Sequence, residues 1–71
     1  MSVTALIPVP EIVQQRAWEC ALVLVQDFPE RLGKYAQHYL RDIVFRGPEA
    51  VTWQQSQAAL QVWRAAVEVR R

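Results

Sequence analysis

The chain has 71 residues, 52% of them hydrophobic, with three Trp, two Tyr and two Phe. That composition folds as one domain and excludes a disordered segment. Its net charge of +1 gives little long-range attraction for nucleic acid or an anionic membrane. A single cysteine, Cys20, rules out a disulfide within the chain, and a single histidine, His38, argues against a metal centre.

A core of this size rarely supplies more than ~3–5 kcal/mol, and small chains usually add a disulfide, a metal or a second subunit. With the first two disfavoured, a second subunit is expected. The longest apolar run, "CALVLV" from Cys20 to Val25, is far short of the ~20 residues of a bilayer span. The start of the chain lacks the basic residues of a secretion signal, and a lone reduced thiol suits the cytoplasm.

The first ten residues, "MSVTALIPVP", form an apolar arm. Pro8 and Pro10 push Ile7 and Val9 toward extended geometry and remove amide donors from one edge of the arm. A first helix is expected from Pro10 to about Asp27, with Pro10 in its first turn and Glu11 complementing the positive helix end. Val13, Ala17, Cys20, Ala21, Leu24 and Phe28 recur at helical spacing and define its inner face.

"DFPE" ends that helix, since Pro29 disfavours helical geometry at Phe28. Asp27 and Glu30 have the spacing of a capping box, which predicts a second helix from about Pro29 to Arg46. Its inner stripe reads Leu32, Tyr35, Ala36, Tyr39, Leu40 and Ile43, and its wet stripe Arg31, Lys34, His38 and Arg41. Gly33 costs this helix ~1 kcal/mol relative to Ala. Gly47 and Pro48 terminate it. Thr52 and Gln55 then have capping-box spacing for a third helix, from Trp53 to about Arg70.

The third helix is apolar on too many sides for a lone domain. Gln54, Gln57, Gln61, Arg64 and Glu68 form one narrow polar stripe, and apolar residues fill more than half of the circumference. Each large apolar side chain left exposed forgoes ~1.5–3 kcal/mol. A homodimer through Ala59, Leu60, Val62, Trp63, Ala66 and Val67 recovers that burial, the two alanines permitting close approach. The expected architecture is all-α: a compact three-helix protein and helical homodimer, with an extended arm over residues 1–10 and a single helical domain over residues 11–71.

Enzyme chemistry lacks its parts. A nucleophile needs an adjacent base and an orienting group, but His38 lies on a wet face and Cys20 on an inner one. His38 and Asp42, four residues apart, are two ligands at most. No glycine-rich loop is present to hold phosphate, and no cofactor is expected. The basic stripe Arg31, Lys34, His38, Arg41 is the best nucleic-acid signal, yet Glu30 and Asp42 interrupt it. A helix-turn-helix reader needs a broader polar helix than the third one. A DNA-reading ribbon from the arm would present Ser2, Thr4 and Leu6, or Val3, Ala5 and Ile7. Neither set carries Arg, Lys, Asn or Gln for base edges. A small dimeric DNA-binding transcriptional regulator is therefore the second reading.

The aromatic residues point to protein recognition instead. Phe45 lies off the inner stripe of the second helix, Trp53 opens the third, and Tyr39 sits at the edge of the core face. Trp, Tyr and Arg dominate binding hot spots. Two stretches, "PEIVQQRAWE" (Pro10 to Glu19) and "KYAQHYLRDIVF" (Lys34 to Phe45), together with size and layout, resemble the small phage-encoded anti-activators that block bacterial quorum sensing. That resemblance implies a helical homodimer and a LuxR-type transcriptional activator as the inhibited partner. It also implies a pilus-assembly ATPase as a further partner, and a partner surface near Glu11 and Tyr39. With Phe45 and Trp53 these make up the expected partner-binding set.

Overall fold

The computed structural model of the chain describes residues 8–68. Three α-helices follow one another: α1 over Glu11–Asp27, α2 over Lys34–Arg46 and α3 over Trp53–Trp63. Single 3₁₀ turns at Pro29–Arg31 and Pro48–Ala50 join them, and α3 widens into a π-helical turn at Arg64–Glu68. No strand occurs among the described residues. Residues 1–7 of the expected arm and residues 69 and 70 of the expected third helix, with residue 71, lie outside the described residues.

The breaks arise from local chemistry. Pro10 is extended (φ −60°, ψ 147°) and stands just before α1, whose first turn carries Glu11. At the other end Phe28 leaves helical geometry ahead of Pro29, and its amide closes on the Leu24 carbonyl at 3.1 Å. The capping box expected at Asp27 and Glu30 is absent, because Phe28 occupies the capping position and makes no side-chain cap bond. One 3₁₀ turn follows, and the chain is extended at Leu32 and Gly33 before α2 begins.

The second helix is therefore shorter than its sequence suggests. Gly33 (φ −68°, ψ 164°) caps α2 and does not weaken its interior. The side-chain amide of Gln37 donates to the Pro29 carbonyl at 3.0 Å and ties the turn to the helix. α2 ends at Gly47, whose φ of +93° is open to glycine and strained for other residues. The capping box at α3 forms as expected: the Gln55 amide donates to Thr52 Oγ1, and the Thr52 amide to Gln55 Oε1, each at 3.1 Å.

α1 is the central element. It packs against both α2 and α3, which touch each other much less. Gln14, near its start, donates to the carbonyls of Glu49 and Val51, both at 3.1 Å. Arg31, beyond its other end, donates to the Ala66 carbonyl at 2.7 Å. α3 thus runs parallel to α1. The Trp18 indole N–H donates to the Val44 carbonyl at 3.1 Å, which brings the last turns of α2 to the first half of α1. The chain goes up, down and up.

The core consists of Ala17, Ala21 and Leu24 from α1, Leu40 and Ile43 from α2, Ala59 from α3, and Leu32, Val51 and Ala66 from the connecting and terminal turns. Val13, Cys20 and Phe28, expected on the inner face of α1, are half-buried. Tyr35 is a correction: it is 85% exposed. Leu32 does not belong to α2, so Leu40 and Ile43 set the register. Five residues before Leu40, Tyr35 is turned roughly 140° away from it. A second correction concerns Ala59 and Ala66. Both are buried within this chain, so the close approach they permit is between elements of one molecule. They are not available to a second copy.

Candidate interaction surface

Among the described residues, three surface features stand out. The first is a groove of about 520 Å³ along the α1–α3 seam. Val13, Ala17 and Cys20 form its α1 wall; Trp53, Leu60 and Trp63 form its α3 wall; Arg16 and Gln57 stand on its rim. It continues past Arg16, Glu19, Cys20, Val23 and Trp63 toward the far end of α1. Leu60 is 44% exposed here, while Trp63, Val62 and Val67 are half-buried against the core. The wide apolar arc of the third helix thus resolves into an inward face at Ser56, Ala59 and Ala66 and an open flank at Trp53, Leu60 and Trp63.

The second feature is a cleft of about 480 Å³ lined by Glu11, Ile12, Gln14, Gln15, Pro48 and Glu49. Glu11 is exposed, and Ile12 beside it is 67% exposed. The third is the outer face of α2. Phe45 is 89% exposed there. Lys34, His38, Arg41 and Phe45 recur at steps of four, three and four, so they form one row of exposed side chains. The row carries the cations Lys34 and Arg41 and ends in an unburied aromatic ring.

These positions do not converge on one site. Glu11 lines the α1 cleft and Trp53 the α1–α3 groove. Tyr39 is half-buried and packs on the core. Six residues separate it from Phe45, which places the two roughly 120° apart around α2. The basic stripe also divides. Arg31 lies in the 3₁₀ turn before α2, where its guanidinium stacks 5.3 Å from the centre of the Phe28 ring and holds the Ala66 carbonyl. Its role within the chain joins elements 35 residues apart in sequence. Asp42 pairs with Arg46, Nε to Oδ2, at 3.1 Å.

Two features escaped sequence reasoning. Ser56 is buried, and its hydroxyl donates to the Trp53 carbonyl at 2.8 Å within the first turn of α3. A serine one turn into a capped helix carried that signal. Gln14 anchors α1 to the second 3₁₀ turn, a contact across 37 residues that no local pattern reveals. Among the described residues, no three His, Cys, Asp or Glu side chains gather where they could hold a metal ion. No described helix is long and apolar enough to cross a membrane. No protein-family model matches the chain, and comparisons with curated proteins and with solved structures give no significant match.

Proposed function

We propose that this chain is a small, non-enzymatic protein-interaction regulator that works as a homodimer and inhibits the protein it binds. The observation that carries this reading is the outer face of α2, where Phe45 is 89% exposed at the end of a row with Arg41, His38 and Lys34. In a chain with so few fully buried side chains, a phenyl ring left in water forgoes ~1.5–3 kcal/mol of burial. A partner pocket recovers it. The cationic neighbours favour an acidic partner surface and speed its approach. The resemblance of "PEIVQQRAWE" and "KYAQHYLRDIVF" to phage anti-activators makes a LuxR-type quorum-sensing activator the first partner to test, and a pilus-assembly ATPase the second.

The second reading, a dimeric DNA-binding regulator, draws on the same exposed row of Lys34, His38 and Arg41. The two readings separate in one experiment. Truncating a hot spot costs at least ~2 kcal/mol, whereas exposed charge pairs contribute ~0–1 kcal/mol each. Phe45→Ala should therefore weaken partner binding more than tenfold, by that hot-spot figure. Lys34→Ala combined with Arg41→Ala should act less, and mostly on association rate. If the charge variant abolishes binding and Phe45→Ala binds normally, the DNA-binding reading takes first place. A steep loss of DNA affinity with rising salt would then confirm phosphate contacts.

A further inference from the structure

α1 carries a second row of side chains, on the side away from the core. Ile12, Arg16, Glu19 and Val23 recur at steps of four, three and four and form a continuous seam. Ile12 is 67% exposed; Arg16 and Glu19 are exposed and Val23 half-buried. The Gln15 side-chain amide holds one Glu19 oxygen at 3.1 Å, along the edge of the seam. From Ile12 to Val23 the row covers roughly 16 Å of helix.

The chemistry of the row is symmetric. It reads apolar, cationic, anionic, apolar, and its spacing is the same from either end, about a midpoint between Ala17 and Trp18. A two-fold axis through that midpoint makes the surface complementary to itself, which is what a symmetric interface requires. Antiparallel packing about the axis sets Ile12 against the partner's Val23 and Arg16 against the partner's Glu19, each pair occurring twice. Parallel packing in register would oppose arginine to arginine and glutamate to glutamate, an arrangement that like-charge repulsion disfavours.

The groove between α1 and α3 flanks the same seam. Val13, Cys20, Leu60 and Trp63 line it, and Val23 with Trp63 extends it alongside Arg16 and Glu19. A helix laid along the seam covers this apolar flank as well, so the contact exceeds a single row of side chains. A standard interface removes ~800 Å² from each partner, which a helix face together with an adjoining groove can approach.

We propose that α1 packs antiparallel on α1 of a second copy, with Arg16 and Glu19 exchanging two ion pairs across the axis. The inference rests on the homodimer reading above and assigns its interface to α1, at the mouth of the groove that α3 borders. The test uses two charge reversals, Arg16→Glu and Glu19→Arg, in the full chain. Both positions are exposed, and circular dichroism checks that each variant stays helical. Alone, each variant opposes like charges twice in its own homodimer. Mixed in equal amounts, the two variants form a heterodimer in which both pairs are again opposite in sign.

Sedimentation equilibrium over the micromolar range reads the result. Each reversal should weaken self-association about tenfold or more, and the mixture should recover wild-type affinity. If wild type is a dimer and both variants dimerise as tightly, the α1 seam is wrong and the homodimer reading stands. If both variants dissociate and the mixture fails to recover, the antiparallel pairing is wrong. A wild type that stays monomeric across the range overturns both this inference and the homodimer reading.

Discussion

Replacing Ala59 with Leu probes the packing of α3 on α1. Ala59 is fully buried, and its neighbours in the core include the small residues Ala17, Ala21 and Ala66. Three added carbons have no space to occupy unless the helix moves outward. Overpacking of this kind costs ~1–3 kcal/mol, a large share of the ~3–5 kcal/mol a core of this size supplies. At ~2 kcal/mol the melting temperature should fall by roughly 8–16 °C, given ~4–8 °C per kcal/mol for a domain of this length. Ala65→Leu serves as the control, because Ala65 is exposed on the same segment and should change stability by no more than ~0.5 kcal/mol. Thermal denaturation followed by circular dichroism compares the two. An Ala59→Leu protein that melts with wild type would show that Ala59 does not sit in a closed interior and would reopen it as an interface residue.

Thr52→Ala removes the oxygen that accepts the Gln55 amide and should destabilise the fold by ~1 kcal/mol in urea denaturation. The two glycines should respond with opposite signs. Gly47→Ala forces a Cβ onto a φ of +93° and should cost ~1–3 kcal/mol; Gly33→Ser, at an extended capping position with open space around its Cβ, should stabilise by ~0.4–1 kcal/mol. Cys20→Ala removes a half-buried thiol from the groove wall and should leave partner binding intact in a pull-down, whereas loss of binding by a folded variant would expose a role for the thiol.

Local chemistry made the two breaks and the start of α3 readable, and not the start of α2. Thr52 and Gln55 bond only to each other's neighbourhood, so their spacing alone predicts the cap that forms. Pro29 and the Gly47–Pro48 pair act on adjacent residues, and both breaks fall where the sequence places them. Position within the bundle was harder to read. A helical wheel gives the width of an apolar face and not which part of it another helix covers. The arc of α3 was visible, but its division into a buried line at Ala59 and an open flank at Leu60 depends on where α1 lies. A continuous helix through Gly33 places Tyr35 in line with Leu32 on the inner stripe, and the extended backbone at Leu32 and Gly33 resets the register. Arg31 looked like part of a solvated cationic stripe, and its bond to the Ala66 carbonyl joins segments that only the fold brings together.

The candidate surface was legible residue by residue and not as an arrangement. Phe45 lies outward as its spacing required, and Trp53 borders a groove. Residue type points to Tyr39, Phe45 and Trp53, and the resemblance to Glu11 and Tyr39; the bundle distributes them over different faces. A hot spot needs neighbours that exclude water from around it. Phe45 is 89% exposed and Lys34, His38 and Arg41 in its row are exposed too, so under the proposed function the partner itself must supply those neighbours.

Under the proposed function, the chain inhibits a transcriptional activator by binding it as a protein. The most direct test follows the fluorescence anisotropy of labelled promoter DNA held by a purified LuxR-type activator while the chain is titrated in. The anisotropy should fall toward that of free DNA as the chain removes the activator, and the Phe45→Ala protein should need more than ten times the concentration to do so, in line with a hot-spot loss of at least ~2 kcal/mol. Unchanged anisotropy at saturating chain, or a salt-sensitive rise when the chain is added to DNA alone, would contradict the account.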